Sequence, residues 1–214
     1  MRLAWLALLL MSISAGRNAT DSSLLRLPGE LRDKIWQYAL GEHQIHIQDL
    51  RHEDQIDSTY DIRTLYPDTM VPLGFEQPTF QLPGVCRQIY VESSPYVYTL
   101  NTFTFHNTAT FDKWIKNRCI GQRRLIASLD VPRTYTRLYR SGFRRTFKSK
   151  FPNISRIGID NWTLFCDYDK VRRLPENEGK GAIDMWKVAK DKLVAEIRNM
   201  EGANMVVAWH GNSS

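Results

Sequence analysis

Side chains of the kinds that bind metal ions are concentrated in one short stretch of the sequence, at Glu42, His43, His46, His52, Glu53 and Asp54. Imidazole and carboxylate groups of this kind bind zinc and other divalent ions. However, the stretch contains an alternating strand pattern, and successive side chains on a strand point to opposite faces. His43 and His46 are an odd number of residues apart, so a strand would direct them to different faces. We therefore predict a solvated loop here and no metal site.

The other nucleophilic side chains do not form a catalytic pattern. Cys86, His106 and Cys166 have no identifiable partners for nucleophilic catalysis. Together with Cys119, the cysteines are widely spaced and include no C-x-x-C pair, which favours buried reduced thiols over a disulfide framework or zinc site. The sequence has no Walker A loop and no G-x-G-x-x-G, G-x-S-x-G or H-E-x-x-H motif. We predict that the chain is not an enzyme and uses no cofactor.

Positive charge is concentrated in the basic segment, residues 133–150, which contains no acidic residue. Its cations are Arg133, Arg137, Arg140, Arg144, Arg145, Lys148 and Lys150. The net charge of the whole chain is +6, so the remainder of the chain is close to neutral. Aromatic residues recur every four positions at Tyr135, Tyr139, Phe143 and Phe147, which predicts a helix over 135–151 with a buried aromatic face and a basic outer face.

The basic face has two interpretations. It is either a solvated outer surface of a helix, or a binding surface for phosphates, acidic lipid or an acidic protein segment. The candidate surface consists of Arg133, Arg137, Arg140, Arg144, Arg145 and Lys148. Nucleic acid is disfavoured as a ligand, because no recognition motif accompanies the charge.

The N-terminus has the layout of a secretory signal peptide. The apolar run 3–13 contains no charged residue and is followed by the small residues Ser-Ala-Gly at 14–16. The run is too short to span a bilayer stably, so no transmembrane span is predicted. If the segment is cleaved, candidate glycan acceptors in the mature chain are Asn18, Asn153, Asn161 and Asn212.

Length and composition indicate one globular domain. The chain has 214 residues, of which 43% are hydrophobic, enough to form a sizeable core. Helical and alternating patterns follow one another, which favours an α/β fold, with α+β as the alternative, and one small mixed or mostly parallel sheet. We divide the chain into a candidate signal peptide at 1–16, a linker at 17–23, a single domain at 24–210 and a tail at 211–214.

Hydrophobic periodicity places the individual elements along the chain. Helices are predicted at 27–40, 85–93, 111–115, 135–151 and 186–197. Strands are predicted at 45–48, 60–66, 101–105, 125–131, 157–159 and 205–209. Four prolines from Pro67 to Pro83 mark a long loop, and Ser94-Pro95 is expected to kink or restart the second helix. The polar stretch 164–182 is predicted to be a surface loop.

Two segments of the sequence resemble a large group of fungal F-box-like proteins of unknown function. LPGELRDKIWQYAL at 27–40 is similar to the opening LPxELRxxIWxYAL of that group. VCRQIYVESSP at 85–95, followed by Tyr98 and by NTFTF at 101–105, resembles the stretch VCRQIYxEAxPxxYxxNTFxF, with Ser93 where alanine is usual. Looser similarity continues through QRRLI at 122–126, so the resemblance extends over about half of the chain.

The resemblance implies that the first helix docks onto a Skp1-type adaptor of a ubiquitin ligase. The contact residues that it implies are Leu27, Pro28, Leu31 and Ile35. The sequence departs from an ordinary F-box because segment 41–82, with its predicted strands, separates two helices that are normally part of one compact helical run. The alternative is that the apolar stripe of this helix, formed by Leu31, Ile35 and Tyr38, is buried within its own domain.

The sequence thus leads to one main function hypothesis and two alternatives. The main hypothesis is a non-enzymatic protein-interaction module of the F-box-like type, acting as a substrate adaptor of a ubiquitin ligase in the cytoplasm or nucleus. The first alternative is a secreted binding or effector-like protein directed by residues 1–16. The second is a binder of acidic ligands that uses the basic segment.

Overall fold

A computed structural model describes residues 22–50, 59–65, 83–179 and 181–211. The candidate signal peptide, most of the linker, most of the proline-rich loop and the last three residues of the tail lie outside the described residues. The same holds for His52, Glu53 and Asp54 of the predicted polar loop. Helices and strands alternate along the described ranges, so the prediction of an α/β fold is confirmed.

The elements are numbered in chain order within the described residues. The helices are α1 Gly29–Leu40, α2 Arg87–Thr99, α3 Thr108–Lys116, α4 Ile120–Leu125, α5 Arg133–Arg140, α6 Phe147–Lys150, α7 Asn161–Arg172 and α8 Ala182–Glu201. A short 3-10 turn at Pro175–Asn177 lies between α7 and α8. The strands are β1 Gln44–Leu50, β2 Thr59–Leu65, β3 Thr102–Phe105, β4 Ser128–Asp130, β5 Arg156–Asp160 and β6 Val206–His210.

The strands form one mixed and mostly parallel sheet, as predicted. Its order is β2-β1-β3-β4-β5-β6, with β2 antiparallel to β1 and every other neighbouring pair parallel. After β1, each new parallel strand is added on the same side of the preceding one. Right-handed crossovers therefore place the connecting helices on one face of the sheet.

A row of apolar side chains across the sheet forms the centre of the main core. The residues that pair in register along this row are Ile45, Phe103, Leu129, Ile157 and Val207. The connecting helices cover the row with large side chains that are at most 3% exposed, including Phe111, Trp114, Tyr135, Phe147 and Leu193. Phe111 meets Tyr135 edge to face, and Phe105 of β3 meets Phe111 and Trp114 in the same way. This geometry stabilises aromatic pairs beyond the area they bury.

The opposite face of the sheet carries polar side chains that bond to one another. Asp130 is 1% exposed, and its carboxylate accepts hydrogen bonds from Gln44 Nε2 at 2.7 Å and from Arg156 Nη1 at 2.9 Å. Gly158 lies beside Asp130 in register on the next strand. A Cβ atom at Gly158 would lie 1.9 Å from Asp130 Oδ1. The carboxylate therefore occupies space that exists because position 158 has no side chain.

The prediction of a surface loop over 164–182 is wrong. Helix α7 continues to Arg172, because Leu164 and Val171 lie on one side of it and are buried in the main core. Asp160 precedes α7 and its side chain accepts a hydrogen bond from the backbone N–H of Trp162 at 2.9 Å, which caps the helix. The residues that favour turns begin only at Pro175.

Two further boundaries differ from the predictions. Helix α2 continues through Pro95 to Thr99, whose hydroxyl donates to the Pro95 carbonyl at 3.0 Å. The predicted strand 125–131 is limited to Ser128–Asp130, because Leu125 is the last residue of α4. In both places the local sequence signal does not decide where the element begins or ends.

Substituting Gly158 tests the packing of the polar sheet face. We expect Gly158→Ala to lower the free energy of unfolding by about 2 to 3 kcal/mol, because the new methyl group would displace the Asp130 carboxylate from its partners. Urea denaturation followed by circular dichroism measures the change. Gly121→Ala is the matched control, since its Cβ would come no closer than 3.9 Å to the Cys119 sulfur. An equal loss of stability in both variants would show that the space beside Gly158 is not needed by the Asp130 carboxylate.

Candidate protein-interaction surface

Local sequence features explain where helix α1 begins and ends. Pro28 is its N-cap residue, with φ −52° and ψ 147°, one position before the first helical residue. Glu30 lies in the first turn, where its charge interacts favourably with the helix dipole. Gly41 follows the last residue, and a Cβ atom there would lie 2.6 Å from the Gln37 carbonyl oxygen, so a larger residue would strain the helix end.

Helix α1 has one buried and one exposed apolar face. Trp36 and Leu40 are 0% exposed and pack with Leu25 and Ile89 in a small core that is separate from the main one. The predicted stripe lies on the other face: Leu31 is 47% exposed, Ile35 37% and Tyr38 89%. Burial of this stripe within its own domain, the alternative considered above, is therefore not observed among the described residues.

The four residues implied as Skp1 contacts are not equally accessible. Pro28, Leu31 and Ile35 are exposed, whereas Leu27 is half-buried. The carbonyl oxygen of Leu27 accepts a hydrogen bond from Arg32 Nη1. Leu27 thus helps to fix the segment that leads into α1. The other three residues form the accessible part of the predicted contact set.

An ion pair joins α1 to α2. Arg32 donates from Nε and Nη2 to the two carboxylate oxygens of Glu92, each at 2.8 Å. Trp36 Nε1 donates to the same carboxylate at 3.3 Å. Hydrogen bonding to Arg32 lowers the pKa of Glu92, despite a smaller opposing effect of burial. The two helices are therefore joined by a bidentate charged contact as well as by the small core.

Asn101 connects this helix pair to the sheet. It is 1% exposed, and its side-chain amide donates to the carbonyl of Leu40 at 2.5 Å and to that of Val97 at 3.0 Å. Its side-chain oxygen accepts from the backbone N–H of His43 at 2.8 Å. One side chain thus links the ends of α1 and α2 to the residue before β1. The sequence pattern indicated only that Asn101 lies at the start of a strand.

The two segments that carry the family resemblance meet in space. Segment 41–82 separates them in sequence, yet its described strands β1 and β2 join the sheet and leave α1 packed against α2. The helix pair is therefore formed by residues distant in the chain, with Arg32 and Glu92 60 positions apart. This arrangement presents the Leu31, Ile35 and Tyr38 stripe on its outer side.

The basic segment is not the single helix predicted over 135–151. Helix α5 ends at Arg140, Gly142 has a positive φ of 81°, and α6 begins at Phe147. Tyr135, Tyr139 and Phe147 are buried as expected, but Phe143 is 79% exposed because it lies in the connection between the two helices.

The carboxylate of Glu201 explains this break. It is 2% exposed and accepts from the Tyr139 hydroxyl at 2.6 Å and from the backbone N–H groups of Phe147 at 2.6 Å and Lys148 at 2.9 Å. The N–H groups at the start of α6, which have no partner within that helix, are thus satisfied by the last residue of α8. Burial and the hydrogen bond to Glu201 raise the pKa of Tyr139.

Two of the six predicted members of the basic surface form ion pairs within the protein. Arg140 donates to both oxygens of Glu196, at 2.9 and 2.6 Å, and to Asp167 at 2.7 Å. Arg144 pairs with Asp112 at 2.7 Å, and Lys150, outside the candidate set, donates to the Tyr135 hydroxyl. In contrast, Arg133, Arg137, Arg145 and Lys148 are exposed. The surface is therefore less basic than its sequence indicated.

The histidine, carboxylate and cysteine residues considered first can be compared only where the structure describes them. No group of three or more His, Cys, Asp or Glu side chains among the described residues is arranged to hold a metal ion. His46 Nδ1 lies 2.9 Å from the Thr104 hydroxyl, and burial lowers the pKa of His43. The prediction of three buried thiols is wrong: Cys86 and Cys166 are half-buried, and Cys119 is exposed at the N-cap of α4.

Comparison with known proteins identifies the family of the chain. Residues 17–168 match the family described as Domain of unknown function (DUF7730). The chain belongs to the DUF7730 family. Neither the curated proteins nor the solved structures contain a match to it. The DUF7730 region includes α1, α2, strands β1 to β5 and the basic segment, while α8 and β6 follow it.

Within the described residues, no helix has the length and apolar character needed to cross a membrane.

Lowering the pH should weaken the contact between α1 and α2, because the Glu92 carboxylate becomes protonated. Because the folded-state pKa lies below the ordinary 4.5, the stabilisation is present above that pH and is lost as the pH falls through the lowered value. When the pH is lowered from 7 to 3, the free energy of unfolding should decrease in both proteins. We expect the decrease to be about 1 kcal/mol larger in the wild type than in Glu92→Gln, because the glutamine side chain has no carboxylate to protonate. Urea titrations at both pH values measure this difference. Equal losses in the two proteins would contradict the role of Glu92.

Removing the Arg140 guanidinium should destabilise the packing of α5 on α7 and α8. We expect Arg140→Gln to lower the unfolding free energy by about 2 kcal/mol, because Asp167 and Glu196 would lose their shared partner. Arg137→Gln, one turn away and exposed, should change it by less than about 0.5 kcal/mol. Urea denaturation of both variants makes the comparison, and similar values for the two would show that the network contributes little.

Proposed function

We propose that the chain is a non-enzymatic protein-interaction module that docks a partner through the exposed stripe of α1, in the manner of an F-box-like substrate adaptor of a ubiquitin ligase. The partner proposed for this stripe is a Skp1-type adaptor, which places the work of the protein in the cytoplasm or nucleus. The secreted alternative depends on residues 1–16, which lie outside the described residues.

The observation that carries the proposal is the exposure of Leu31, Ile35 and Tyr38. These side chains do not hold α1 in place, since Trp36, Leu40 and the Arg32–Glu92 pair already do so. A partner could therefore cover the stripe without disturbing the small core. The helix is also fixed before binding, which reduces the entropy lost on association.

The exposed apolar surface of the helix pair extends beyond Leu31 and Ile35. Burying a Leu or Ile side chain completely is worth about 1.5 to 3 kcal/mol, so the roughly half-exposed Leu31 and Ile35 retain about 1 kcal/mol each. Association itself costs at least about 4 kcal/mol, so these two residues are insufficient alone. Tyr38 on α1, and Tyr90 and Val91 on α2, are 89%, 53% and 64% exposed and provide further apolar surface on the same helix pair.

Charge substitution on the stripe tests the proposal. The binding constant between the purified full chain and a recombinant Skp1-type adaptor is measured by isothermal titration for the wild type and for Leu31→Asp plus Ile35→Asp. We expect the double variant to bind at least tenfold more weakly, which corresponds to about 1.4 kcal/mol, because two carboxylates would have to be buried in the interface.

The matched control places the same charges on another exposed apolar pair. Ile183 and Val188 on α8 are 85% and 46% exposed, and Ile183→Asp plus Val188→Asp should leave the affinity within twofold of the wild type. Circular dichroism establishes that both variants fold. Failure of the wild type to bind, or equal losses in the two variants, would refute docking of a Skp1-type adaptor through α1.

A further inference from the structure

A concave surface lies between α5, α7 and α8. The cavity has a volume of about 670 Å³, which is within the range of ordinary ligand sites. Part of the basic segment lines it through Arg133, Arg137 and Arg140, and α7 contributes Trp162 and Lys170. Three helices that pack against one another thus direct side chains toward one space.

The charges that line the cavity do not cancel. The lining contains four cations, Arg133, Arg137, Arg140 and Lys170, and two carboxylates, Asp167 and Glu196, which leaves a net charge of +2. Arg140 is fully engaged with both carboxylates. Arg133 and Arg137 form no ion pair with any residue that the structure describes, and Lys170 is 75% exposed although it reaches Asp167 at 3.1 Å.

The cavity is largely organised before any ligand arrives. The three hydrogen bonds of Arg140 fix its position between Asp167 on α7 and Glu196 on α8. The Arg133 guanidinium lies 4.8 Å from the centre of the Trp162 ring, a cation–π distance that restrains its side chain. Arg133 is therefore restrained before a ligand arrives, which lowers the entropy cost of binding through this residue.

The net charge indicates the chemistry of the ligand. A phosphate monoester carries about −1.5 to −2 at neutral pH and presents three acceptor oxygens, whereas one carboxylate would balance half of the lining charge. Guanidinium groups bind phosphate through paired hydrogen bonds. The hydroxyls of Thr134 and Thr163, which also line the cavity, are suitable additional donors to phosphate oxygens.

The acidic side chains favour one phosphate group over a continuous anionic surface. Asp167 and Glu196 would repel the successive phosphates of a nucleic acid or the headgroups of an acidic membrane, whereas one phosphate can approach Arg133 and Arg137 directly. We propose that this cavity binds a phosphorylated side chain of a partner protein, with Arg133, Arg137 and Lys170 contacting the phosphoryl oxygens. The proposal is independent of α1, so either site can be disproved without the other.

Peptide binding tests the cavity. The full chain is titrated with a degenerate peptide pool that has a fixed central phosphoserine, phosphothreonine or phosphotyrosine, and with the unmodified pool. We expect at least one phosphorylated pool to bind tenfold more tightly than its unmodified counterpart. Arg133→Gln plus Arg137→Gln should abolish this preference, and both residues are exposed, so the variant should fold normally.

Two cations of the basic segment outside the cavity lining provide the matched control. Arg145→Gln plus Lys148→Gln makes the same change in net charge, and we expect it to keep the phosphopeptide affinity within twofold of the wild type. Equal losses in both double variants would overturn the proposal in favour of non-specific attraction. It would also be overturned by binding to phosphatidylserine vesicles without binding to any phosphorylated pool, or by absence of a phosphate preference.

Discussion

Five parallel strands, β1 and β3 to β6, pair in the order in which they occur in the chain, and right-handed crossovers therefore put their helices on one face. The apolar row from Ile45 to Val207 is covered by these helices. Because this core is complete without α1, the first helix is held by a second, smaller core around Trp36 and Leu40. A helix fixed by one face and a single ion pair can leave its other apolar face exposed. The proposed docking surface is thus a consequence of how the sheet is built.

The basic segment shows why charge in a sequence does not equal charge on a surface. Arg140 lies between two carboxylates that come from α7 and α8, 27 and 56 positions further along the chain. Arg144 is paired with Asp112 of α3. These acids lie outside the segment, so its composition could not reveal them. Pairing removes some cations from the surface and also fixes the helices that hold Arg133, Arg137 and Lys170 around one cavity.

Fold class and most elements could be predicted because periodicity directly reflects burial. Alternation at Ile45 to Gln48 and at 101–105 indicated strands, and Leu193 and Ile197 indicated the long last helix. The errors occurred where a distant partner decides the local structure. Glu201 caps α6 and allows the break after Arg140. The polar sequence of α7 concealed a buried face formed by Leu164 and Val171. The sequence therefore did not indicate that Trp162 and Lys170, on α7, line a cavity.

The two proposed surfaces differ in the force that would hold a ligand. The α1 stripe is apolar, so its affinity would come from surface removed from water and depend little on salt. The cavity relies on exposed cations, whose attraction is screened over about 8 to 10 Å at physiological ionic strength. They also belong to different cores, since α1 packs with Ile89 while α5 and α7 pack in the main core. Because the two proposed surfaces are supported by different cores, a substitution in one of them should leave the packing beneath the other unchanged.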